Sequence, residues 1–196
     1  MDYVSRKYAL NTSLPHKRTF KQIKKNLDPQ PEDIILEIGA GRGVMLKKMK
    51  KYSKQVKGID VNPWSVALKE CPDVSLQSAT SLEFPDNYFD KIYTSNTIEH
   101  IPKTGLFFKE ASRVLKPKGR IVVVYPWEIF RGMTALRDAL FIFKNPFRAR
   151  SLHVHKFCPA KIKEQIAGTD LFHLKSLLIR ERFPQYLTIL QKRGMV

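Results

Sequence analysis

Residues 34–43 read IILEIGAGRG, an apolar run that ends in three alternating glycines, Gly39, Gly41 and Gly43. Glycines in that position, after a strand and before a helix, let backbone approach a ligand where side chains would stand in the way. Two carboxylates flank the loop. Glu37 precedes the first glycine by two residues, and Asp60 closes the next apolar run 17 positions after Gly43. A carboxylate at that second place is suited to accept hydrogen bonds from ribose hydroxyls. Further along, Asn96-Thr97-Ile98-Glu99-His100 gathers amide, acid and base in one stretch, so Glu99 and His100 are candidate proton carriers. His153 and His155 alternate in LHVHK, and alternate residues of an extended segment point the same way. The pair reads as an acid/base pair, an anion clamp or two metal ligands. No cysteine or carboxylate stands near them in sequence to complete a coordination set, so no metal is expected.

These groups need elements to hold them. Ile34–Ile38 is an apolar run of the kind buried on both faces of a parallel sheet. A lysine-rich helix over residues 43–52 follows, with cations toward its C-terminal end, where the dipole favours them. Strands are predicted over 56–60, 74–78, 90–95 and 121–125, and helices over 63–69 and 104–115. The second of these helices is stopped by Lys116-Pro117-Lys118-Gly119. Strand and helix alternate, which implies βαβ units and a parallel sheet. Two late strands, about 174–180 and 186–192, are joined too tightly for a parallel crossover and read as antiparallel neighbours. The expected fold is α/β: a Rossmann-like, doubly wound, mostly parallel seven-stranded sheet with an antiparallel last strand. A helical insertion follows the fifth strand. Residues 1–30 form a basic N-terminal helical segment, and 31–196 the main domain.

Composition narrows the partners. The chain has 196 residues and a formal net charge of +17, so an anionic partner is favoured: nucleic acid, a lipid surface or a phosphorylated compound. Two cysteines far apart make neither a disulfide framework nor a zinc motif, and a reducing compartment follows. The first residues lack an apolar signal core, so a cytoplasmic location is expected. The longest apolar stretch, Trp127 to Phe147, is broken by Glu128, Arg131, Arg137, Asp138 and Lys144 and is no membrane span. Within 127–150, however, Ile129, Met133, Leu136, Leu140, Phe143 and Phe147 recur at spacings of four and three. They form one helical stripe bordered by arginines. Such a cationic amphipathic piece is suited to lie on an anionic membrane, to cover a greasy ligand as a lid, or to pack across the sheet edge.

Five motifs in order, EIGAGRG, GID, SLEFPDNYFD, SNTIEHI and EASRVLKPKGRIVV, together cover about residues 32–126. Over that span the chain resembles the class I S-adenosylmethionine-dependent methyltransferases, in their small-domain, UbiE-like (methyltransferase type 11) branch. The resemblance implies S-adenosylmethionine as cofactor, leaving as S-adenosylhomocysteine. It implies that Gly39, Ala40, Gly41 and Gly43 line the methionine part, Glu37 serves the amino group and Asp60 the ribose. Val61 would meet the adenine face, Ser78, Ala79 and Thr80 the adenine edge, and Asn96 the cofactor from the fourth strand. Many members carry an aspartate where this chain has Ser78, so the adenine contact passes to the serine hydroxyl or the Ala79 amide. Lys118 replaces a frequent glycine, which alters a turn and no chemistry.

Methyl transfer from a sulfonium is an in-line displacement on an activated donor. Alignment of the two partners alone is worth about 7–11 kcal/mol. A base among Glu99, His100, His153 and His155 is needed only where the acceptor must lose a proton. The resemblance places the 127–150 insertion over the acceptor, so a hydrophobic or lipid-linked small molecule is the expected substrate, with peripheral contact at an anionic membrane. Two readings compete with this one. The charge admits an RNA methyltransferase, although the loop after the fourth strand lacks an NPPY- or DPPY-type sequence. The Ser78 departure admits a non-catalytic, cofactor-binding partner subunit.

Overall fold

The computed structural model describes residues 4–11, 17–180 and 183–194. Two short helices, α1 (Arg6–Asn11) and α2 (Lys17–Leu27), lead into alternating elements. These are β1 (Ile34–Ile38), α3 (Val44–Met49), β2 (Gln55–Asp60), α4 (Pro63–Ala67), β3 (Val74–Leu76), β4 (Phe89–Ser95), α5 (Thr104–Val114) and β5 (Leu115–Pro126). Then come α6 (Leu136–Phe143), α7 (Ala149–Leu152), α8 (Pro159–Gln165), β6 (Leu171–Ile179) and β7 (Gln185–Lys192).

The seven strands form one sheet in the order β3-β2-β1-β4-β5-β7-β6. β7 runs antiparallel to both of its neighbours, and the other pairings are parallel. Alternation along the central strands separates two apolar layers. Leu36, Ile38, Ile121 and Val123 face a layer with Phe107, Phe108 and Ile162. Ile35, Val122 and Val124 face Ile23, Leu27, Leu46 and Met49 on the other side. Side chains of this size contribute about 1.5–3 kcal/mol each when fully buried. Ile23 and Leu27 belong to α2, so the basic N-terminal segment shares the core of the sheet.

Two of the sequence motifs turn out to be one structural staple. Arg113, on α5, bonds the Glu110 carboxylate, the Leu82 and Phe84 carbonyls and Asp86. It thereby closes the SLEFPDN loop onto the EASRV helix. Lys118 occupies the left-handed region at φ 64, a conformation that glycine adopts without the Cβ penalty a lysine carries.

The 127–150 segment departs from the expected single stripe. The chain after β5 turns irregularly until α6, which ends at Lys144 in the left-handed region, and Pro146 follows. The buried apolar side chains are those of Ala135, Ala139, Ile142 and Ala149, with Leu152 just beyond the segment, whereas Ile129, Leu136, Leu140 and Phe147 of the predicted stripe are exposed. Small alanines let the helix sit close against the body, and the bulky stripe turns to solvent.

Candidate active site

The strand order reverses direction beside β1, since β2 and β3 lie to one side of it and β4 to the other. In an open α/β sheet the crevice beyond the carboxyl ends at that switch is where ligands bind. A cavity of about 720 Å³ occupies it, within the range of ligand pockets at roughly 300–1,000 Å³. Its walls carry Glu37, the glycine loop, Asp60, Val61 and the Ser78–Thr80 turn at one end. Glu99, His100, Arg137, Asp138 and His153 line the other.

The loop is held open from below. Gly39 and Ala40 both donate to the Ile59 carbonyl, at 2.9 Å each. Gly41, at φ 54, donates its N–H to Asp60 Oδ2 at 2.7 Å, and Asn62 donates to Asp60 Oδ1 at 2.8 Å. A carboxylate offers about four acceptor positions, so capacity remains for a further donor. Gly39 is at φ 76, and a Cβ there would stand 2.2 Å from Thr97 Oγ1. That glycine therefore serves the packing of the fourth-strand loop as well as any ligand.

Glu37 is buried, and its Oε2 accepts the Tyr93 hydroxyl at 2.8 Å. Burial pushes its pKa up to about 8, the Tyr93 bond opposes this, and the charge of Asp60 adds to it. Burial also raises Asp60, against three backbone hydrogen bonds. Glu37 and Asp60 form no ion pair among the described residues, and two carboxyl groups at one end of a crevice fit a ligand that brings a positive charge and several hydroxyls. Val61 is exposed in the cavity wall. Ser78 Oγ lies 2.9 Å from Thr80 Oγ1, which shapes the turn beside it. Asn96, at φ 52, accepts Gln185 Nε2 through Oδ1 at 2.8 Å, and Gln185 Oε1 accepts Thr19 Oγ1 at 2.8 Å. This relay ties α2 and β7 to the cavity floor, and no local pattern in the sequence signals it.

The far end assembles what the sequence keeps apart. Glu128 is buried and accepts Thr134 Oγ1 at 2.8 Å and Thr134 N at 3.0 Å through Oε1, and Gly132 N at 3.2 Å through Oε2. The same Oε1 lies 2.9 Å from His153 Nδ1. Burial raises the Glu128 carboxyl, but His153 and Thr134 outweigh it and hold the group below the ordinary range. Burial lowers His153, yet Glu128 and Glu99 carry it above the ordinary value. No carboxylate stands near His153 in sequence, but the fold brings one to it: Glu128 reaches it from 25 residues away.

The shared orientation of the two histidines is corrected too. His153 caps α7 and faces Glu128, whereas His155 Nε2 lies 3.0 Å from the Pro102 carbonyl, and His155 does not line the cavity. His100 stacks edge-on against His153 with ring centroids 5.0 Å apart, and Tyr8 of α1 leans in with its hydroxyl 3.4 Å from His100 Nε2. Burial, then the nearby His153, pushes His100 down to about 4. Burial pushes Glu99 up to about 7, against the pull of His153.

A glycine loop after the first strand, a carboxylate ending the second and this strand order define the class I S-adenosylmethionine-dependent methyltransferase architecture. The family comparison gives the same answer: residues 36–123 match the model described as a methyltransferase domain. That match covers a little under half of the chain, and over it the chain is similar to class I methyltransferases of the UbiE-like kind. It is 31% identical over 105 residues to a demethylmenaquinone methyltransferase of Corynebacterium kroppenstedtii, covering 53% of this chain and 46% of that protein. It is 34% identical over 105 residues to a 2-methyl-6-phytyl-1,4-hydroquinone methyltransferase of Synechocystis sp., covering 50% of this chain and 33% of that one. The chain spans less than half the length of the curated relatives it matches. Among solved structures, a Haloferax volcanii methyltransferase in complex with the Trm112 methyltransferase activator shares the fold. Its TM-score is 0.79 at 14% identity, over 98% of this chain and 97% of that one.

Proposed function

We propose that this domain binds S-adenosylmethionine across the carboxyl ends of β1 and β2 and methylates a hydrophobic, lipid-linked small molecule. The cofactor supplies an activated methyl sulfonium. Glu37 faces its ammonium group and Asp60 its ribose hydroxyls, while Val61 and the Ser78–Thr80 turn meet the adenine. Asn96 and Thr97 form the floor beneath the methionine part. What remains for the chain is to hold an acceptor in line and to exclude water, the main source of rate in such a displacement.

The observation that carries the acceptor reading is the inverted lid. Phe147 is 90% exposed, Ile129 65% and Phe141 64%, with Arg131, Arg137, Lys144, Arg148 and Arg150 on the same segment. A second cavity of about 390 Å³ opens on it, lined by Phe130, Leu136, Pro146 and Phe147 with Arg131 and Arg150 at its edges. Clustered apolar side chains at a surface mark a site that meets another apolar phase. Bordering arginines favour an anionic one. No described helix is long and apolar enough to cross a membrane; the exposed apolar side chains and the arginines beside them are what favour peripheral contact with an anionic surface. The two quinone- and hydroquinone-methylating relatives support an acceptor with a long apolar tail.

The test is transfer of labelled methyl into fractionated cell extract. Label in the lipid-extractable fraction, with co-sedimentation on anionic liposomes that Phe141→Ser and Phe147→Ser abolish, is expected. Label in RNA, with affinity falling steeply as salt rises, would transfer the assignment to nucleic acid. Cofactor binding without transfer to any fraction would leave a partner subunit.

A further inference from the structure

We propose that Glu99, His100 and His153 form a binding site for a first-row divalent cation, with zinc the preferred ion, at the acceptor end of the crevice. One donor atom from each of the three lies within 4.8 Å of the other two. All three line the large cavity. Ligands about 2.0–2.2 Å from one tetrahedral ion stand ~3.3–3.6 Å apart, so the widest pair closes by about 1–1.5 Å at most on binding.

Each imidazole is already oriented as a ligand. The Leu152 carbonyl, 2.6 Å from His100 Nδ1, can only accept, so Nδ1 carries the proton and Nε2 the lone pair. Glu128 does the same to His153, whose Nδ1 proton it accepts at 2.9 Å. A ligating histidine held through its other nitrogen by a carboxylate or a backbone carbonyl is the usual second layer of a metal site. An ion at His100 takes over the long approach of the Tyr8 hydroxyl to Nε2.

Glu99 supplies the independent observation. The residue is 1% exposed, and its buried Oε2 has no hydrogen-bond partner among the described residues. A buried carboxylate oxygen without a partner costs about 1–3 kcal/mol or more, so it calls for a cation. Two imidazoles and one carboxylate are a donor set that zinc takes with a fourth position open to water or substrate. Imidazole ligands favour zinc over magnesium, which takes oxygen donors. The open position would face the cavity and receive an oxygen of the acceptor. The site itself stands whether or not methyl transfer is the activity.

The experiment is equilibrium dialysis of the chelator-stripped full chain against Zn2+, Co2+ and Mg2+, with metal content counted per chain. Melting temperature and S-adenosylmethionine binding are measured on the same preparations. The expected result is one Zn2+ per chain, a raised melting temperature and a tetrahedral Co2+ visible spectrum. Glu99→Gln and His153→Gln should each weaken uptake at least tenfold, and His155→Ala should leave it intact. Circular dichroism separates a misfolded variant from a folded one that has lost the metal. No uptake of Zn2+ by the wild-type chain, a preference for Mg2+, or full uptake by a folded Glu99→Gln overturns the proposal. Cofactor binding that persists without metal uptake would sink this site and leave the methyltransferase reading standing.

Discussion

Asp60 Oδ2 accepts the Gly41 N–H at 2.7 Å across 19 residues, while its Oδ1 accepts the Asn62 N–H at 2.8 Å. The carboxylate that ends the second strand thereby props the glycine loop that follows the first. On the proposed reading, this one side chain both shapes the loop and recognises the ribose, so damage to either function reaches the other.

Glu37 ties stability to pH. The unfolded chain ionises this carboxyl near 4.5, whereas the folded chain, mainly through burial, keeps it protonated to about 8. The folded state therefore holds the extra proton. Its stability contribution is full below about 4.5 and is lost as pH rises toward 8, by an amount on the order of a few kcal/mol. Glu37→Gln removes the titration. Its melting temperature should exceed that of the wild type by a margin that grows from pH near 5 to pH near 8, while affinity for the ammonium-bearing cofactor falls about tenfold or more. Parallel pH dependences of the two melting temperatures would contradict this placement.

Gly39 and Thr97 should couple. Gly39→Ala combines positive-φ strain of about 1–2 kcal/mol with a clash of about 1–3 kcal/mol against Thr97. Thr97 Cβ itself stands 2.8 Å from the added methyl, so Thr97→Gly, not Thr97→Ala, is the relieving partner. Denaturant unfolding of the four proteins of the cycle should recover the steric part in the double variant and leave the backbone part. Additive losses would show that the loop moves away instead.

At Lys118 the sign reverses. A lysine at φ 64 is strained, so Lys118→Gly should stabilise the chain by about 1 kcal/mol, or roughly 2–4 °C in Tm. A calorimetric scan checks it, and a lower Tm would mean that the lysine stem contributes more than its backbone costs.

Much of this was legible because it is local. Ile34–Ile38, the three glycines and Asp60 form one strand–loop–helix–strand unit, so a short window carries the glycine-loop end of the cavity. The histidine end is assembled from distance. Tyr8, Glu99, Glu128 and His153 come from four separate segments, and LHVHK shows nothing of the carboxylate that reaches His153. The lid misled for a different reason. An apolar stripe at helical spacing presupposes a core on that face, and here Ala135, Ala139 and Ala149 take the inner side while Leu140 and Phe147 look outward. The SLEFPDN and EASRV motifs were legible as a resemblance, but their physical content, the Arg113 staple, is a tertiary contact spanning some 30 residues that no local pattern displays.

The central claim is that the Asp60 carboxylate grips a ribose in the crevice beside β1, and calorimetric titration with S-adenosylhomocysteine tests it most directly. One equivalent should bind the wild-type chain. A folded Asp60→Ala should lose at least about thirtyfold in Kd, the equivalent of roughly 2 kcal/mol for a charged hydrogen-bond acceptor. Equal affinity in the two proteins, or no binding to the wild type, would contradict the account.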